Sequence, residues 1–181
     1  MKCAGVVCAA LVAFLAGALP AAGQSRGNSA RDTVSPHAYV SLSAVPRKRA
    51  FQIAVVLKIR PGFHVNAREV LEAYLIPTDL SAEPHLGFRA GSPRYPAGVL
   101  RKLPFSDSPL NVYEGSVTLR MNLEALTSAP LGPQTLTLKL RYQACSDNMC
   151  LPPVTLPIEV NVEIVPAGAP ARPIHPEIFV K

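Results

Sequence analysis

Apolar side chains recur at every second position over much of this chain, a spacing that puts them on one face of a strand and on every side of a helix. In 51–59, Phe51, Ile53, Val55, Leu57 and Ile59 share a face, with Gln52 and Lys58 opposite and Val56 an apolar exception. In 117–123, Val117, Leu119, Met121 and Leu123 alternate with Thr118, Arg120 and Asn122. Leu136, Leu138, Leu140 and Tyr142 do the same against Thr137, Lys139 and Arg141. In 154–164, Val154, Leu156, Ile158, Val160, Val162 and Ile164 oppose Thr155, Glu159, Asn161 and Glu163. Such segments are half-buried antiparallel strands. Weaker strands are expected at 38–45, 73–80 and 85–90. Helical character is confined to 66–74 and 122–128, a turn or two each.

Nineteen prolines, most of them between these runs, punctuate the chain. Seven or so short strands separated by turn signals predict an all-β fold, an immunoglobulin-like antiparallel β-sandwich. No repeat of fixed period argues for a propeller or solenoid.

The ends read differently from the middle. Lys2, the apolar run 4–19, Pro20 and the small residues Ala21-Ala22-Gly23 have the order of a cleaved secretory signal over 1–23. The alternative is an uncleaved membrane anchor, since the apolar run approaches spanning length. Val7 before Cys8 argues against a lipoprotein site. Residues 24–36 are polar and aperiodic, which predicts a flexible lead-in. Residues 166–181 open Pro/Ala-rich and predict an extended tail. The sandwich is then expected over 37–165, in an exported, periplasmic chain.

The chain carries a formal charge of +6, but its basic residues are scattered and it has no tryptophan. No basic and aromatic ribbon marks a nucleic-acid surface. The sequence is silent on oligomeric state.

Removal of 1–23 would leave Cys145 and Cys150 as the remaining cysteines, in a compartment where disulfides persist. Cys145 has the parity of Arg141 and Gln143, so a regular strand would turn it outward, to solvent or an edge. Ser146-Asp147-Asn148 is a polar turn sequence and Pro152-Pro153 stops regular pairing beyond it. Three uses of the pair remain open. A structural clip closing so short a loop contributes about 2 kcal/mol by the loop-entropy formula. A zinc site needs four ligands, and His37, His64, His85 and His175 are dispersed, so no metal or other cofactor is expected. A redox pair needs an attacking thiolate, a resolving sulfur and access for another protein. Arg141 favours the thiolate and Asp147 opposes it.

The residues Tyr142-Gln143-Ala144-Cys145 and Cys150-Leu151-Pro152-Pro153 resemble the active-site segment of the N-terminal periplasmic domain of the thiol:disulfide interchange protein DsbD. Pro61-Gly62-Phe63-His64-Val65-Asn66, Tyr95-Pro96-Ala97-Gly98-Val99 and Tyr113-Glu114-Gly115 resemble other parts of that domain, in order. The resemblance implies an immunoglobulin-like fold and thiol–disulfide interchange through Cys145 and Cys150. It gives Cys150 the exchange with partners and Cys145 the resolution of the mixed disulfide. It also implies a cap loop bearing an aromatic residue, for which Phe105 is the candidate, with Phe63 and Tyr142 lining the site. His64 is read as structural rather than as a proton carrier. The implied partners are a thioredoxin-like or membrane-bound electron donor and disulfide-bearing periplasmic clients, the cytochrome c maturation path being one possible destination. Four residues separate the cysteines here, one fewer than in the best-known members. The chain ends at residue 181, so electrons are expected from separate proteins. The alternative function is a non-catalytic binding or scaffold sandwich with a permanent clip.

Overall fold

Residues 29–179 are described by a computed structural model. The segment 1–23, expected to be a secretory signal, lies outside these residues. Among the described residues, twelve strands form three four-stranded sheets. The first, in spatial order, contains β1 (Val34–Val40), β3 (Arg49–Ile59), β9 (Ser116–Ala125) and β6 (Phe88–Arg94). The second contains β2 (Val45–Pro46), β12 (Val154–Val165), β10 (Gly132–Tyr142) and β5 (Asp79–Ala82). The third contains β11 (Ala144–Cys145), β4 (His64–Asn66), β8 (Leu110–Tyr113) and β7 (Val99–Arg101). Pairing is antiparallel except for the short β2–β12 contact.

The alternating apolar faces meet as period two requires. Ile53, Leu57, Leu119, Met121, Leu138 and Leu140 are fully buried in one core cluster that joins the first two sheets. Each such side chain contributes about 1.5–3 kcal/mol through removal from water. The β10–β12 ladder pairs Gly132 with Ile164 at one end and Tyr142 with Val154 at the other. This hairpin is the frame that carries the cysteines at its tip.

Several local expectations are corrected. Residues 122–128 are not helical, because Leu123 and Ala125 continue the β9 ladder opposite Phe51 and Arg49. Residues 66–74 are not helical either. Ala67 N–H donates to Asn111 O and the Asn111 side-chain amide donates to Glu69 O, which ties the backbone down as an irregular loop. The strand expected at 73–80 starts at Asp79, and that expected at 85–90 runs from Phe88 to Arg94. The 38–45 signal splits between β1 and β2.

The described part of the lead-in is ordered: a 3₁₀ turn at Ala30–Asp32 is followed by β1 from Val34, so the sandwich starts before residue 37. Tyr142, whose parity favours the core, donates its hydroxyl to Ala30 O at 2.7 Å and so anchors that turn. The C-terminal stretch folds back on the segment that follows β1 instead of trailing away. Ser43 N–H donates to Arg172 O, and Ile174 N–H donates to Ser41 O. The short helix α1 (Pro176–Phe179) then packs against β3, where outward-parity Ala54 is buried. Among the described residues no helix is long and apolar enough to cross a membrane.

Candidate functional site

The chain leaves the second sheet at Gln143. β10 ends at Tyr142, and β11 pairs instead with β4, setting Ala144 opposite Val65 and Cys145 opposite His64. β4 is delivered by the turn Arg60-Pro61-Gly62-Phe63, closed by Phe63 N–H donating to Arg60 O at 3.0 Å. Proline suits its second position. Gly62, at φ +79°, supplies the left-handed third position that a side chain would strain.

Past Cys145 the chain reverses through Ser146–Met149 and returns. Ser146 N–H donates to Met149 O and Leu151 N–H donates to Ala144 O, both at 2.8 Å. These bonds flank Cys145 and Cys150 without joining them, so the two form a non-hydrogen-bonded pair, the position where facing side chains come closest. Their Cα atoms are 3.9 Å apart and their sulfurs are bonded. The Ser146 hydroxyl braces the turn by accepting from the N–H groups of Asn148 and Met149.

Residues directly opposite in a sheet share a face. Ala144, Val65 and Tyr113 lie in one row and belong to the main core. Cys145 and His64 therefore face the other way, the face that also holds Asn66, Val112 and Leu110. Parity thus predicts the direction of Cys145 but not its exposure, which is 0%. The outward face is roofed. Leu75 from the 67–78 loop and Leu103 from the 102–109 loop pack on Leu110 and Val112 as a second hydrophobic cluster. Cys150 is only partly buried, and its neighbour Met149 is 58% exposed.

Phe105 sits in the turn of the 102–109 loop, two residues beyond Leu103, and is 39% exposed. Lys102 Nζ donates to the carbonyls of Ser106 and Asp107, which braces the loop around it. Phe63 and Tyr142, expected to line the site, pack with the main core; the Arg60 guanidinium lies 4.4 Å from the Phe63 ring centroid.

The residues found beside the pair are polar. Gln143 Oε1 accepts from Asn66 Nδ2 at 3.2 Å and from Ile76 N–H at 3.3 Å, and Gln143 Nε2 donates to Leu151 O at 3.4 Å. Asn66 Nδ2 also donates to Ile76 O at 3.0 Å. This network ties the roof loop and the Cys150 strand to β4. His64 is 2% exposed, and its Nε2, like Asn66 Oδ1, is a buried atom with no hydrogen-bond partner among the described residues. Burial holds the His64 imidazole below its ordinary value; the carboxylates of Glu114 and Asp147 pull it upward and Arg101 pushes it down. The sequence signal for this lining was the alternation His64-Val65-Asn66, two polar residues flanking an apolar one. Among the described residues no cluster of His, Cys, Asp or Glu has the makings of a metal site.

A family model described as the N-terminal part of thiol:disulfide interchange protein DsbD matches residues 30–161. The chain belongs to this family. That DsbD match takes in the whole hairpin tip, both roof loops and the 3₁₀ turn at Ala30. The N-terminal periplasmic domain of ScsB from Proteus mirabilis shares its fold at a TM-score of 0.50 and 16% identity, covering 76% of this chain and 49% of that one. The reduced N-terminal domain of DsbD from Neisseria meningitidis superposes at a TM-score of 0.41 and 18% identity, covering 74% of this chain and 88% of that one. No curated protein matches the chain.

Proposed function

We propose that this DsbD-family domain passes reducing equivalents from a donor protein to disulfide-bearing clients through Cys145 and Cys150. The observation that carries the proposal is the asymmetry of the pair. Cys145 is fully buried, whereas Cys150 is partly open at a hairpin tip beside exposed Met149. Attack on, or by, an outside sulfur needs access, and resolution needs a second sulfur already in place. This supports Cys150 as the partner-facing sulfur and Cys145 as the resolving one. A thioredoxin-like or membrane-bound donor and periplasmic clients fit that division. The signal-like order of residues 1–23 and the periplasmic origin of the ScsB domain support the same compartment. Phe105, on the roof loop, is the residue we assign as a movable cap.

The complete burial of Cys145 favours a second reading, a permanent clip in a binding or scaffold sandwich. Trapping separates them. In Cys145→Ala the mixed disulfide on Cys150 has no resolving thiol. Non-reducing electrophoresis of the variant expressed in its native compartment is expected to show discrete adducts with specific proteins, reversed by reductant. Efficient expression with no adducts would favour the clip.

A further inference from the structure

One row of side chains crosses the third sheet on its roofed face. Cys150 stands opposite Cys145, and Cys145 stands opposite His64. β8 pairs Tyr113 with Val65, so the residue after Tyr113 continues the row next to His64. That residue is Glu114, which holds Arg101 Nε at 2.9 Å. Opposed positions in such a sheet bring Cβ atoms to about 4.5–5.5 Å, within reach of an imidazole and a thiol. His64 is buried, and its Nε2 has no partner among the described residues.

We propose that His64 is the proton acceptor for Cys145 in the resolving step, with Glu114 stabilising the imidazolium that forms. The inference rests on the exchange function proposed above. In the reduced protein Cys150 attacks a client disulfide, forming a Cys150–client disulfide and releasing one client thiolate. Cys145 gives its proton to His64 Nε2 and its thiolate attacks the Cys150 sulfur. The Cys145–Cys150 bond forms, the bond to the client breaks, and the second client thiolate leaves with the electron pair. The proton on His64 passes to that thiolate or to water. Two electrons have then moved from the domain to the client. The order nucleophile, base, acid across the row is the arrangement that activates thiols elsewhere.

The charged groups acting on His64 are Glu114 beyond β8, Asp147 in the hairpin turn and Arg101 on β7, and burial outweighs them. The imidazole therefore stays neutral at pH 7, as an acceptor must. A thiol of ordinary pKa near 8.5 is only about 3% ionised at pH 7, so an acceptor that takes the proton as the sulfur attacks opens a route for the remaining thiol, on the order of tenfold in rate.

The test is stopped-flow reaction of the reduced full chain with an aromatic disulfide that releases a coloured thiolate. The first release reports attack by a cysteine; the second reports resolution. His64→Gln is expected to leave the first release unchanged and to slow the second roughly tenfold at pH 7. The difference should narrow as the pH rises, because hydroxide increasingly takes the thiol proton without an internal base. A lost side chain that matters only for packing would not give that pH-dependent convergence. Nitrogen NMR of the reduced wild-type protein is the second measurement, independent of any variant's folding. It is expected to show Nε2 unprotonated and Nδ1 carrying the proton; a proton on Nε2 overturns the proposal. An unchanged second release and pH profile in folded His64→Gln also overturns it while leaving the exchange function intact. Absence of any second release from the wild-type protein overturns both.

Discussion

Cys150→Ser is expected to abolish disulfide exchange with protein partners, a loss below the detection limit of an insulin-type reductase assay, while the sandwich stays folded. Cys145 is left as the only thiol of the site, and it is fully buried on the sheet face that Leu75 and Leu103 partly cover. An incoming sulfur must approach along the S–S axis, and fully buried Cys145 offers no such approach without the surrounding structure opening. The structural cost is small by comparison. Losing a bridge that closes so short a loop removes about 2 kcal/mol in the loop-entropy account. The main core, with Leu119, Leu138 and Leu140 fully buried, does not involve the bridge. Circular dichroism and urea titration should therefore show a native but slightly weakened domain with no activity. Substantial residual exchange in this variant would transfer the partner-facing role to Cys145.

Phe105→Ala is the second expected large effect. The ring lies on the loop that roofs the cysteine face and is more than half removed from water. A fully buried phenylalanine contributes about 1.5–3 kcal/mol. Taking half of that, the closed arrangement of the loop loses about 0.75–1.5 kcal/mol, a factor of roughly four to twelve in its population. Alkylation of the reduced pair by a small reagent should quicken by about that factor, with the melting temperature lowered by only a few degrees because Phe105 lies outside both hydrophobic clusters. Equal alkylation rates in the two proteins would make Phe105 an ordinary surface residue and remove the cap from the account.

The fold is legible in the sequence wherever one face of a strand meets the core. The alternation in 51–59 and 136–142 predicts which side chains are buried, and Ile53 and Leu138 are fully so. What fails is local. The 122–128 stretch has fair helical propensity, but its place at the end of a long ladder decides the outcome, since pairing with β3 supplies more bonds than an isolated helical turn. Composition marks the lead-in as flexible and the tail as extended, yet the tail and the described part of the lead-in dock through a few hydrogen bonds to backbone groups that no periodicity records. At the site, parity tells which way Cys145 points. It cannot tell that the third sheet places two loops over that face, because the Leu75 and Leu103 contacts join segments far apart in the chain. His64 is easily read as a lone structural histidine for the same reason: its relation to Cys145 exists only through strand register.

The reduction potential of the Cys145–Cys150 pair tests the central claim most directly. It is measured by equilibrating the folded wild-type chain with a thioredoxin-fold reductant of known potential and quantifying the oxidised and reduced forms. An exchangeable pair should equilibrate in both directions at a potential above roughly −300 mV, close to that of thioredoxin-like donors. A bridge that stays closed well below roughly −300 mV while the domain remains native would contradict the account and leave a structural clip in its place.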